Sequence, residues 1–333
     1  MRPSTSPFSA IALALLAGCA NVTQSPAVAG AASTLVTPER TEAIVDRSPS
    51  WMAGGATSAK SLLYISDPGT FDVDVYTFPD LKIAGKLTGF DEPQGECSDK
   101  LGNVWITNTV SEDVLEYAHG GKHAIHTLAD PTGYPGACAV DASSGDVAVT
   151  NVFNVNSGGG EVLIYRGGRG TPSPYVNPGV TYYYFDGYDD AGNLYVSGST
   201  GAGTYVLSLL GHGKHAMQTV SVQGVTIHFP GTVQWVGSGL VLGDQECDGQ
   251  KAACFYTASV SGTVATITHK TALAGACDVA QATLRDGRLA AGDYDDCSGV
   301  RSGAYLWKYP GGGTATRHVT GLSRPIGATI SDP

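Results

Sequence analysis

An all-β fold built from one repeated unit is what the sequence predicts. Three observations predict it: a turn-plus-strand string that recurs along the chain, 45 glycines in 333 residues, and a charged fraction of only 15%. The strings are Ser61-Leu-Leu-Tyr-Ile-Ser-Asp67, Gly102-Asn-Val-Trp-Ile-Thr-Asn108, Gly145-Asp-Val-Ala-Val-Thr-Asn151, Gly192-Asn-Leu-Tyr-Val-Ser-Gly198, Gly239-Leu-Val-Leu-Gly-Asp244 and Gly287-Arg-Leu-Ala-Ala-Gly-Asp293. Their first residues lie 41, 43, 47, 47 and 48 positions apart. A period of this size marks a repeat architecture in which each unit buries its apolar surface on the next.

Each string reads as the second strand of its unit. A third strand follows in the runs Phe71–Phe78, Val114–Tyr117, Val162–Tyr165, Tyr205–Leu210, Phe255–Val260 and Tyr305–Tyr309, whose Tyr, Val, Ile and Phe suit a pleated, half-buried surface. Glycine-rich turns such as His119-Gly-Gly-Lys122 and Gly311-Gly-Gly313 lead to a weaker outer strand. The innermost strand precedes each string, at Gly95–Asp99, Ala137–Asp141, Asp186–Asp189, Thr232–Trp235, Cys277–Gln281 and Gly327–Ser331. Four strands in roughly 40–50 residues describe a blade, and the repeats together describe a six-bladed β-propeller. A sandwich or a solenoid is the alternative. The last innermost strand has no partners after it and the first unit lacks one, so residues 325–331 are expected to pair with 62–66 and leave no open seam.

The N-terminal segment carries an address. Residues 1–18 hold one positive charge, Arg2, and a short apolar run from Phe8 to Ala17, the pattern of an export signal rather than of a membrane span. The run ends in Leu16-Ala17-Gly18-Cys19, which resembles the bacterial lipobox, whose cysteine takes a diacylglycerol. Cys19 is therefore the expected lipidation site, with an ordinary signal peptide as the rival. Ala20 after the cysteine fits outer-membrane sorting in a Gram-negative host. Residues 19–50, rich in Ala, Ser, Thr, Val and Pro, read as a flexible lipidated stalk, and 51–333 as the propeller. The net charge of −11 becomes −12 once residues 1–18 are removed, which argues against nucleic acid as a partner. The expected setting is extracytoplasmic, with the membrane reached through the lipid and an envelope protein or a glycan as partner of a monomer.

The strings Glu92-Pro-Gln-Gly-Glu-Cys-Ser-Asp99 and Gly102-Asn-Val-Trp-Ile-Thr-Asn108 make residues 60–333 resemble the six-bladed superfamily of NHL-repeat proteins, gluconolactonase/senescence-marker proteins and virginiamycin B lyase. The resemblance implies the fold and not an activity. Of the gluconolactonase metal motifs, only Asp186-Gly187 has a counterpart here. The lyase depends on a histidine pair; His228 precedes an innermost strand, while most other histidines sit in turns such as Gly213-Lys-His215 at the opposite strand ends.

Export turns Cys97, Cys138, Cys247, Cys254, Cys277 and Cys297 into expected disulfide cysteines, since no C-x-x-C spacing supports zinc. Cys247–Cys254 is the shortest loop to close, and Cys277–Cys297 falls within one unit. Cys97 and Cys138 sit on adjacent innermost strands at offsets that differ by one residue.

The starts of the innermost strands and the ends of the second strands converge on one channel mouth. They bring there Glu96, Asp186 and Asp278 from the former, and Asp67, Asn108, Asn151, Asp244 and Asp293 from the latter. Such oxygen donors suit Ca²⁺ or Mg²⁺, whereas Asp and Asn at strand ends also cap turns. Tyr182-Tyr-Tyr-Phe185 suits either a stacked ligand or packing between blades. The chain has no G-x-S-x-G, H-E-x-x-H or P-loop motif. The leading expectation is a tethered binding module. The competing one is a metal-dependent hydrolase or lyase of the gluconolactonase type.

Overall fold

Short antiparallel strands follow one another through residues 48–294 and 302–333, which the computed structural model describes. The export segment, Cys19, the stalk to residue 47 and Cys297 lie outside the described residues. The first strands are β1 (Trp51–Met52), β2 (Leu62–Asp67), β3 (Asp72–Thr77) and β4 (Ile83–Thr88). After them come β5 (Pro93–Ser98), β6 (Val104–Asn108), β7 (Asp113–Tyr117) and β8 (Ala124–Ala129), then β9 (Gly133–Val140), β10 (Val147–Asn154), β11 (Glu161–Tyr165) and β12 (Ser173–Tyr175). The chain continues through β13 (Tyr182–Tyr188), β14 (Leu194–Ser199), β15 (Tyr205–Leu210) and β16 (Gln218–Gln223), and through β17 (Pro230–Val236), β18 (Gly239–Asp244), β19 (Cys254–Ser261) and β20 (Val264–Ala274). It ends with β21 (Ala282–Arg285), β22 (Arg288–Asp293), β23 (Gly303–Lys308), β24 (Gly312–Thr320) and β25 (Gly327–Ser331). Among the described residues helix is limited to single 3₁₀ turns, and none is long and apolar enough to cross a membrane.

Within each group the strands pair antiparallel in chain order, except that β1 pairs with β4 at the outer edge of the first. The C-terminal strand β25 pairs with β2, from Leu62↔Ser331 to Ser66↔Gly327. One expected innermost strand is displaced: Cys277–Gln281 forms a loop, and the strand starts at Ala282. Two local causes act together. Asp293 accepts the N–H groups of Cys277 and Asp278, and the Asp286-Gly287 turn, with both φ values positive, fixes the register Arg285↔Arg288.

Period-two alternation explains how the sheets pack. On β2, Leu62 and Tyr64 join a core cluster with Val104 and Ile106 of β6, while Leu63 and Ile65 join one with Ala290 and Leu306 of β22 and β23. Likewise Val147 and Val149 of β10 face Trp105, and Ala148 faces Leu194 and Val196 of β14. Each second strand therefore has both faces buried, which is why these strings are apolar almost throughout. Burial fades outward to strands such as β8, where Ile125 is exposed. At the rim, β16 pairs with β20 and β20 with β24 in parallel, which covers edges that would otherwise offer free backbone groups.

Candidate functional site

Innermost strands line a common axis: β5 lies against β9 and β25, β9 against β13, β13 against β17, β17 against β21 and β21 against β25. Small residues permit this crowding. A Cβ on Gly95 would fall 2.5 Å from the Ala137 Cα, so only glycine lets β5 approach β9 this closely. The approach brings Cys97 and Cys138 into a disulfide with a Cα–Cα distance of 5.6 Å, despite their offset in sequence. Cys247–Cys254 is also bonded, and Cys277 is disulfide-bonded.

The strand-end residues turn to backbone partners. Asp67 accepts the N–H groups of Gly69, Ser323 and Arg324 at 3.0, 2.6 and 2.8 Å. Asn108 accepts from the Asp91 N–H at 2.6 Å and donates to Asp113 at 2.9 Å. Asn151 donates to Asp130, which holds the N–H groups of Thr132 and Gly133. Asp244 accepts from His228, Phe229 and Glu246. All of these, with Asp293, tie down the loop that enters the innermost strand of the same sheet. Asp67, Asp72 and Asp74 approach within 4.8 Å of one another, and the Lys86 ammonium, 2.6 Å from Asp72 and 3.4 Å from Asp74, supplies the counter-charge. Burial still pushes Asp74 up to about 6, against the pull of Lys86, and Asp293 up to about 6, against its N–H donors.

Glu96 and Asp186 are placed differently from these caps. They lie on β5 and β13 in the wall of an axial cavity of about 240 Å³, with 1% and 6% of their surface exposed. No side chain among the described residues hydrogen-bonds their four carboxylate oxygens; the donors that act on them are backbone groups, Thr329 on Glu96 and Asp186's own on Asp186. Burial drives both well above the ordinary carboxylate range, with the Thr329 backbone easing Glu96 slightly. Asp278 does not line this cavity; it stands 3.8 Å from Lys251. Tyr182, Tyr183, Tyr184 and Phe185 are all buried. Tyr183 receives the Asn177 N–H, and Tyr184 packs on Phe229.

Sequence reasoning passed over the groups that join neighbouring sheets. Ser66 accepts the Gly327 N–H of its own sheet and donates to the Gln94 carbonyl of the next. Thr107 lies between the Gly95 and Gly136 carbonyls, Thr150 between those of Ala137 and Tyr184, and Ser197 between those of Phe185 and Gly231. These hydroxyls occupy one position of the recurring string, so their recurrence was the available signal. Gln281 gave none. Its amide accepts the N–H groups of Glu96 and Ala328 and donates to the Glu96 carbonyl.

No family model matches the chain, and no curated protein matches it. Solved structures do, 1187 chains in all, too many for the fold by itself to select an activity. A chain from the crystal structure of a nidogen/laminin complex is similar at 12% identity and a TM-score of 0.62, over 81% of this chain and 98% of that one. A protein of unknown function from Bacteroides caccae is similar at 12% identity and a TM-score of 0.61, over 82% and 99%. With the radial antiparallel sheets, these likenesses define the class as a β-propeller.

Proposed function

We propose that the chain is a six-bladed β-propeller closed by its C-terminal strand and tethered through lipid on Cys19. In this reading it serves outside the cytoplasm as a protein-binding module. The observation that carries the binding reading is the likeness, over 98% of its length, to a chain crystallised in a nidogen/laminin complex. The β2–β25 pairing and the successive contacts of the innermost strands support the blade count and the closure. The Glu92–Asp99 and Gly102–Asn108 strings support kinship with NHL-repeat propellers. The disulfides suit an oxidising compartment.

The docking face we favour is the one where the innermost strands begin. Its loops are held by the Asp and Asn caps, so it is preorganised. It also leaves apolar groups in solvent: Val110, Val155 and Val176 are 40%, 48% and 56% exposed, beside the paired rings of Tyr134 and Phe153. Two bonds keep several of these neighbours together, Thr109 to the Pro135 carbonyl at 2.7 Å and the Val155 N–H to the Thr132 carbonyl at 2.9 Å. Exposed apolar side chains on a fixed surface mark protein contacts. The hydrolase reading loses support where Asp67, Asp244 and Asp293 commit their oxygens to N–H donors.

A photo-crosslinking residue placed at Val110 or Val155 in the living host is expected to yield a discrete protein adduct. The same residue at Leu101, exposed at the opposite strand ends, is expected to yield none. Adducts at no position, or equally at all, would sink the proposal. Cys19→Ser should move the protein out of the membrane fraction, and its retention there would remove the tether.

A further inference from the structure

We propose that the axial cavity binds a small organic cation, bearing an ammonium or guanidinium group, at the carboxylates of Glu96 and Asp186 in its wall. The two acids stand on strands separated by β9, line one cavity of about 240 Å³, and present four oxygens that no side chain among the described residues hydrogen-bonds. Carboxylates removed from water demand a compensating charge or donors. The wall supplies only backbone donors, Thr329 to Glu96 and Asp186's own to Asp186. Gln281 is spent on the backbone of Glu96 and Ala328, Gln234 on the N–H and carbonyl of Leu284, and Thr232 on the N–H of Ala282. Arg285, at the outer end of the cavity, is paired with Asp332.

The same accounting chooses between kinds of cation. A hard dication prefers six or more oxygen ligands, and the neutral side-chain oxygens named above are already engaged. An ammonium has three N–H donors and a guanidinium five, and either pairs with a carboxylate without a full shell of oxygen ligands. The path inward fits an organic stem. The cavity reaches the strand ends at Tyr188 and Trp235, both half-buried, and Trp235 stacks on Tyr195 with an indole N–H that lacks a partner among the described residues. Aromatic faces beside a cation's route favour its passage and hold its methylenes.

The inference does not rest on the docking face, because the cavity opens at the opposite strand ends. Calorimetric titration of the full-length chain with 1,4-diaminobutane and with agmatine is expected to give saturable one-to-one binding. The neutral analogue 1,4-butanediol, CaCl₂ and MgCl₂ should give none. Glu96→Gln and Asp186→Asn should each weaken the amines by about tenfold or more while leaving the melting temperature equal or higher, since each replaces an acid whose charged form burial already disfavours. Nα-acetyl-lysine methylamide distinguishes the sources of the group: tighter binding than the free diamine assigns it to a partner's side chain, and weaker binding to a small molecule. No saturable amine binding, amine binding indifferent to both variants, or Ca²⁺ binding abolished by them would each overturn the proposal.

Discussion

Residues 62–223 and residues 230–320 meet the same need with different chemistry. In the first region a hydroxyl on the second strand, Ser66, Thr107, Thr150 or Ser197, joins its own innermost strand to the next one. In the second region the matching positions are Gly243 and Gly292. There a Cβ would fall 2.8 Å from the Thr232 nitrogen or 2.7 Å from the Pro325 Cβ, so no hydroxyl fits. The joining groups come instead from the innermost strands and their entry loops: Thr232 and Gln234 reach Ala282 and Leu284, and Gln281 reaches Glu96. The requirement that persists is a satisfied backbone at a crowded axis. The residue that meets it is free to change.

The largest expected effect tests whether both regions also store buried charge. Asp74 belongs to the first and Asp293 to the last sheet before β25, and each is raised from 3.8 to about 6. A raised acid stabilises the fold fully below the unfolded-state value, and that stability is lost as pH rises through the folded-state value. Stability should therefore increase as pH falls from about 6 toward 4, by about 3 kcal/mol for each group and about 6 kcal/mol for the two together. Denaturant melts of Asp74→Asn and Asp293→Asn should each remove a comparable part of the slope. A slope lost wholly in one variant would place the stored charge in one region.

Covalent ties come next. Breaking Cys97–Cys138, 41 residues apart, by paired serines should cost about 4 kcal/mol in chain entropy, and breaking Cys247–Cys254, 7 apart, about 2.5 kcal/mol. Equal losses in urea melts would show that native contacts rather than loop closure set the difference. Gly292→Ser then asks whether the hydroxyl solution transfers to the second region. Its Cβ meets Pro325 at 2.7 Å, so a loss of about 3 kcal/mol is expected, and a neutral result would remove the steric reason for the two solutions. Smallest is the exchange of joining groups themselves. Gln281→Leu strands three backbone partners and should cost about 2 kcal/mol, against about 1 kcal/mol for Thr150→Val, both read from thermal melts.

How much of this was legible follows from where each signal lies. The repeat was readable because the strings alternate or saturate with apolar residues between glycine turns, and the positions of Glu96 and Asp186 on innermost strands came with it. The choice between cap and ligand for Asp67, Asp244 and Asp293 was not readable, since both roles call for the same side chains. The hydroxyls were present in the first four quoted strings, with Gly243 and Gly292 in their place in the last two, yet their partners stand 28 to 34 residues away on another sheet. The displaced β21 escaped because the Asp286-Gly287 turn, not the apolar pattern of Cys277–Gln281, sets its register. The parallel rim pairs and the short β1 lie on outer edges, where the hydrophobic pattern is weakest.

The pairing of β25 with β2 also orders the protein's history. Residues 62–66 are synthesised well before residues 327–331, the strand that covers their inner edge. Until residue 331 has left the ribosome, that edge has no native partner, and a chain that stops short presents it permanently to other chains. Synthesis of residues 327–331 is thus the event that licenses a finished core, and nonsense truncations that remove them should be as damaging as those that remove a whole sheet.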